Sequence, residues 1–199
     1  MRHLVVCLLV ALTLAGCAAR RAPAVVSPAV QVRPRSSVLE TAESRAPGLA
    51  EAVARARAFP TADNHLRAAQ GYLEAGIADQ AFVHFERASK LDPRNAAAWD
   101  GMARIWRDWG FPALALPDAY RAVAFAPGAA APHNTLGTVL QSLGHGPAAR
   151  AEFERALRID AGAAYALGNL CYSWLKDARP DEAAGACRAA LPGAPDGRH

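Results

Sequence analysis

Cysteine and histidine are the side chains best suited to chemistry in this 199-residue chain. The thiols of Cys7, Cys17, Cys171 and Cys187 can carry an acyl group, close a disulfide or ligate a metal. The imidazoles of His3, His65, His84, His133, His145 and His199 can bind zinc or move protons. No two of these histidines have the spacing of zinc ligands. The sequence shows no Gly-x-Ser-x-Gly elbow, phosphate-cradling glycine loop or catalytic carboxylate pair. We therefore assign no catalytic residue and no metal, expect no cofactor, and read the chain as a non-enzyme whose work is binding. The net charge of +4 comes largely from scattered arginines and the N-terminal segment. Without a basic stripe interleaved with aromatics, nucleic acid is excluded as a partner.

The elements that position these residues repeat with a fixed period. Pro93 and Pro127 lie 34 residues apart, and Ala161 and Pro195 continue the series. The same interval links Gly76, Gly110, Gly144 and Ala178; Ala81, Ala115, Ala149 and Ala183; and Ala88, Ala122, Ala156 and Ala190. Large residues form their own columns: Tyr72, Trp106, Leu140 and Trp174, and beside them Ala68, Met102, Leu136 and Leu170. The column Ala69, Ala103, Gly137, Cys171 is small throughout, with Phe85 and Phe153 on the facing helix. Each unit reads as two helices: the glycine ends the first and opens a tight turn, and the alanines let the second approach its neighbours closely. The prolines stop one unit and start the next. Pro117 falls inside a second helix, where it removes a backbone hydrogen bond and predicts a kink.

This unit resembles the tetratricopeptide repeat (TPR), a helix-turn-helix of 34 residues that stacks into a right-handed superhelix. The resemblance covers 62–195 in four copies, 62–95, 96–129, 130–163 and 164–197. It implies an all-α fold, a right-handed α-solenoid of four tetratricopeptide repeats. The bulky residue that opens each copy is Trp99 in the second and His65, His133 and Leu167 in the others, which places both histidines in a helix-packing column. A further helix at 48–60, with Leu49, Ala50, Val53 and Ala54 on one face, is expected to cap the array, since repeat arrays otherwise expose apolar ends.

The N-terminal segment reads as an address. Arg2 and His3 precede an apolar run from Leu4 to Leu14, too short for an ordinary transmembrane helix, and Ala15-Gly16-Cys17 follows. Leu14-Ala15-Gly16-Cys17 resembles the lipobox of bacterial lipoproteins. That resemblance implies a signal peptide over 1–16, lipidation of Cys17, and a membrane reached through the lipid anchor. Ala18, in place of an aspartate, favours the periplasmic face of the outer membrane. The alternative is an ordinary cleaved signal with an incidental cysteine. Residues 17–47 are rich in Pro, Ala and Arg and read as a disordered tether, in which Arg20, Arg21, Arg33 and Arg35 either meet anionic headgroups or are simply solvated.

Two cysteines remain in the fourth copy. In an antiparallel pair turning near Ala178, Cys171 and Cys187 face each other, and export favours a disulfide. Closing that loop is worth about 3 kcal/mol; the alternative is two buried reduced thiols.

Binding is expected on the concave surface made by the first helix of each copy. Its exposed positions are Leu66, Gln70 and Leu73 in copy one, and Asp100, Arg104 and Arg107 in copy two. Copy three contributes Asn134, Thr138 and Gln141, and copy four Tyr165, Asn169 and Tyr172. Arg104, Arg107, Asn134, Thr138, Gln141, Asn169 and Tyr172 form the candidate peptide-binding groove. Trp174, Leu175 and Leu191 leave an apolar flank at the far end that suits self-association. The layout resembles the assembly or pilot lipoproteins of pilus and secretion systems. It implies a scaffold in the bacterial cell envelope that binds a protein or peptide segment of an envelope complex. The alternative is an adaptor that recruits peptidoglycan hydrolases or synthases.

Overall fold

The computed structural model describes residue 46 and residues 48–191. The expected leader, Cys17, all of the tether except Ala46, and the chain beyond residue 191 lie outside the described residues. Nine helices follow one another among the described residues, with no strand. They are α1 (Leu49–Ala58), α2 (Ala62–Glu74), α3 (Ala78–Leu91), α4 (Ala96–Asp108), α5 (Pro112–Phe125), α6 (Ala130–Ser142), α7 (Gly146–Ile159), α8 (Ala164–Lys176) and α9 (Pro180–Ala189). After α1 they pair as α2/α3, α4/α5, α6/α7 and α8/α9, and the second helix of each of the first three pairs also packs on the first helix of the next. The result is an all-α solenoid of tetratricopeptide type.

Local chemistry sets the helix ends. The Thr61 hydroxyl accepts from the Asn64 amide at 3.2 Å and the Asn95 side chain from Ala98 at 3.1 Å, so α2 and α4 are capped by side chains. Pro112, Pro147 and Pro180 sit in the first turns of α5, α7 and α9, where no backbone donor is needed. Every hairpin closes in one way. The amide three residues beyond the first helix returns to a carbonyl five residues back: Ile77 to Tyr72 at 2.8 Å, Phe111 to Trp106 and His145 to Leu140 at 2.9 Å, Arg179 to Trp174 at 3.0 Å. This closure requires a left-handed residue, supplied by Gly110 and Gly144 at φ 84°. The fourth copy has only Ala178 for the task and holds it at φ 55°, a conformation that costs an L-residue roughly 1–2 kcal/mol.

Packing follows the columns. Ala81, Ala115, Ala149 and Ala183 are all buried, as are Ala88, Ala122 and Ala156, whereas Ala190 at the end of the stack is half-buried. Phe153 presses on Gly137 so closely that a Cβ there would lie 2.5 Å from the ring, and Phe85 does the same to Gly101 of the next copy. The capping helix buries Leu49, Val53 and Ala56. This corrects the expected face, because Ala50 and Ala54 are exposed. α5 runs through Pro117 as one continuous helix, with Pro117 on its exposed side. The opening column is held by a shared bond: Trp99 Nε1 donates to the Pro93 carbonyl at 2.9 Å, and His133 Nε2 meets the Pro127 carbonyl at 3.1 Å.

Two substitutions test this account by urea unfolding followed by circular dichroism. Ala178→Gly is expected to stabilise the protein by about 1 kcal/mol. Gly137→Ala is expected to cost about 1–3 kcal/mol through overpacking, with part of that loss recovered when Phe153→Leu is added. A Gly137→Ala protein as stable as the parent would remove the ring from its proposed seat.

Candidate functional site

The first helices of copies two, three and four, α4, α6 and α8, line an open cavity of about 620 Å³. All seven groove residues line it: Arg104 and Arg107 from α4, Asn134, Thr138 and Gln141 from α6, and Asn169 and Tyr172 from α8. Asp100, Thr135, Ser142 and Tyr165 complete its polar wall. These residues meet because adjacent first helices run side by side, so a side chain on one faces a side chain about one repeat further along the chain.

The contacts between walls are specific. Asn169 Nδ2 donates to Asn134 Oδ1 at 2.8 Å, bridging α8 and α6. Arg107 Nη1 donates to Thr138 Oγ1 at 2.6 Å, bridging α4 and α6, while its other nitrogens pair with Asp108. Thr138 in turn donates to the Thr135 carbonyl at 2.8 Å. Gln141 departs from the expected exposure. It is buried, because its Oε1 accepts from Ser173 Oγ at 2.7 Å. Arg150 extends that network, donating to Ser173 at 3.2 Å and to Asp177 at 2.5 Å. Arg150 and Ser173 escaped the sequence reading, since one lies on a second helix and the other looks like an ordinary helix-surface serine. Leu66 and Leu73 also leave the groove, because they are half-buried against the core of copy one.

Electrostatics single out Asp100. Burial pushes its carboxyl above the usual carboxylate range, opposed by a hydrogen bond from Thr135 and by the charges of Arg104 and Arg107. Burial also raises the Tyr165 hydroxyl, with Asp160 and Asp100 adding to the effect. Tyr165 and Tyr172 stay exposed, as does Arg104, which hydrogen-bonds no described residue. The cavity thus offers cationic and amide donors, one buried acceptor and two flat aromatic walls.

In the fourth copy, Cys171 and Cys187 are joined by a disulfide with Cα atoms 4.9 Å apart. At the far end the Trp174 ring is half-buried between two guanidiniums, Arg150 at 4.0 Å and Arg179 at 4.7 Å from its centroid. The uncovered flank therefore consists of Leu175 and Leu191, which are exposed. No group of three His, Cys, Asp or Glu side chains could hold a metal among the described residues. Nor is any described helix long and apolar enough to cross a membrane.

No protein-family model and no curated protein matches the chain. Solved structures share its fold. MamA of Desulfovibrio magneticus RS-1 superposes with a TM-score of 0.62 at 18% identity, covering 78% of this chain and 85% of that one. Pseudomonas aeruginosa pilF gives 0.60 at 23% identity over 72% of this chain and 62% of its own length. The first TPR of Spaghetti (RPAP3), bound to the HSP90 peptide SRMEEVD, gives 0.55 at 20% identity over 59% of this chain and 93% of that one.

Three histidines, His65, His84 and His133, pack between helices. His133 is buried with Nδ1 2.6 Å from the Glu152 carboxylate. His65 and His84 are buried with their Nδ1 atoms 3.1 Å apart, so only one proton fits between them. Burial, with a smaller contribution from Arg87, lowers the His65 pKa. Burial, then His65, Arg87 and Arg57, lowers that of His84 to about 4. Because both folded values lie below the ordinary 6.5, the unfolded chain binds protons first as pH falls. Stability is thus complete above about pH 6.5 and declines toward pH 4, by on the order of 3 kcal/mol from His84 alone. Urea unfolding at a series of pH values checks this. His84→Leu is expected to flatten the decline between neutral pH and about pH 5, and an equally steep decline in that variant would assign it to other groups.

Proposed function

We propose that this protein is a lipid-anchored, non-enzymatic scaffold of the bacterial cell envelope that holds an extended peptide segment of a partner protein across α4, α6 and α8. The observation that carries this reading is the convergence of polar side chains from three successive repeats on one open cavity. Arg104, Asn134 and Asn169 can hydrogen-bond a peptide backbone or carboxylate, and Tyr165 and Tyr172 add rigid contact area at small entropic cost. The RPAP3 structure, with its HSP90 peptide, is a TPR stack of similar fold holding a short segment.

Placement in the envelope is supported by two features at opposite ends of the chain. Leu14-Ala15-Gly16-Cys17 reads as an acylation site, and residues 17–47 as the tether that holds the repeats off the bilayer at the periplasmic face of the outer membrane. The Cys171–Cys187 disulfide agrees with export, because such bonds persist outside a reducing cytosol. Within the envelope, assembly or pilot work for a pilus or secretion system suits this layout, and the fold shared with pilF agrees with it. The exposed Leu175 and Leu191 offer a second contact surface, through which copies of the protein can associate.

Crosslinked pulldown from envelope fractions tests the groove. Arg104→Glu combined with Tyr172→Ala is expected to lose the partners recovered with the parent protein; unchanged recovery would move the binding site elsewhere. Anchoring is tested separately. Cys17→Ser is expected to release the protein from the membrane fraction, and globomycin to block processing of the precursor. A precursor processed normally under globomycin would exclude the lipoprotein route.

A further inference from the structure

Asp100 is the one described side chain with a buried polar atom that lacks a hydrogen-bond partner. Other buried polar residues of the stack find partners, Arg150 with Asp177 and Gln141 with Ser173 across helices, Ser89 with the Glu86 carbonyl and Asp118 with Arg121 within one. Asp100 sits differently: it lines the cavity, and its buried Oδ1 meets no hydrogen-bond donor among the described residues. A buried acceptor left in this condition is destabilising, and such groups persist where a ligand uses them.

The chemistry of the missing donor follows from its surroundings. Arg104 and Arg107 both line the cavity and act on Asp100 through their charges, so its carboxyl already has cationic neighbours and an incoming ammonium or guanidinium gains little there. An uncharged N–H meets no repulsion from them. Arg107 is already occupied by Thr138 and Asp108, whereas Arg104 is exposed and hydrogen-bonds no described residue. The cavity therefore presents one free acceptor and, one helical turn away on α4, one free guanidinium.

Resting on the peptide-groove reading above, we propose that the cavity selects an acidic extended segment, with Asp100 Oδ1 accepting from a neutral amide N–H and Arg104 pairing with a nearby carboxylate side chain. Tyr165 and Tyr172 flank that segment. Asp100 acts as the specificity residue: it disfavours an apolar surface that cannot supply the N–H donor, while the arginines disfavour basic chains.

The test uses short fluorescein-labelled peptides of Gly, Ser and Asn that carry either Asp or Lys, blocked at the C-terminus so that no terminal carboxylate is present. Binding is followed by fluorescence polarisation and by the side-chain amide NMR signals of Asn134 and Asn169. The Asp peptides are expected to shift those signals and to bind at least about tenfold more tightly than the Lys peptides. Asp100→Leu is expected to weaken the Asp peptides about tenfold while keeping or raising the melting temperature of the free protein, because it removes an unpaired buried acceptor. Asp100→Asn, which retains a carbonyl acceptor, is expected to stay within about threefold of the parent. Lys peptides that bind as well as Asp peptides, or an Asp100→Leu protein with unaltered affinity, would overturn the inference and leave the groove standing. If neither set shifts the asparagine signals, the groove reading and this inference fall together.

Discussion

Close approach between helices is the constraint on which the rest of the structure depends. Two helices can lie near the lower limit of their spacing only where one presents side chains no larger than a methyl group. Ala81, Ala115, Ala149 and Ala183 provide that surface at the start of every second helix, and Ala88, Ala122 and Ala156 provide it two turns later. Phe153 against Gly137 and Phe85 against Gly101 show how little room is left. In the fourth copy Cys187 occupies the position of Phe153, and Cys171 that of Gly137. The covalent bond thus stands where the third copy has a ring wedged against a glycine.

Fixed spacing of the scaffold is what makes the cavity reproducible. Because every copy repeats after 34 residues, side chains on adjacent first helices meet at separations close to that number. Asn134 reaches Asn169 at 35, Arg107 reaches Thr138 at 31, and Gln141 reaches Ser173 at 32. Within one hairpin the corresponding separation is 19, which brings His65 to His84 and His133 to Glu152. The columns at these positions keep their place while their chemistry changes, from a histidine pair in copy one to a histidine and a carboxylate in copy three. The fold tolerates such exchange because each pair only has to satisfy itself.

This separation between place and chemistry also explains what could be read from the sequence. Repeat length, turn glycines and alanine columns are backbone requirements, so they left a periodic trace that gave the helix pairs and the side of the stack carrying the groove. The burial of Gln141 left none. It depends on Ser173 and Arg150, whose identities follow no repeat: the positions equivalent to Ser173 carry Gly71, Ile105 and Val139. The face of α1 was misjudged for a related reason. Alanines at 50, 54 and 56 are equivalent in hydrophobicity, and only the position of α2 decides that Ala56 turns inward. Pro117 signals a kink from its own chemistry, and α5, packed on α4 and α6, remains a single helix across it.

Stability and binding compete most directly at the last copy. A terminal repeat has one neighbour instead of two, and its partly exposed Ala190 and left-handed Ala178 weaken it further. Yet α8 supplies Tyr165, Asn169 and Tyr172, the whole third wall of the cavity. A wall built on a frayed helix could not hold a ligand in a defined geometry, because the ordering would have to be done at the moment of binding. The fourth copy is secured instead by three contacts that do not need a downstream neighbour. The disulfide joins α8 to α9, Arg150 ties α7 to Asp177 and Ser173, and two guanidiniums cover Trp174. Of these, the Arg150 network also reaches Gln141 through Ser173, so the contacts that seat the last repeat and those that shape the cavity floor share atoms. The end of the array is reinforced where the groove needs a rigid side.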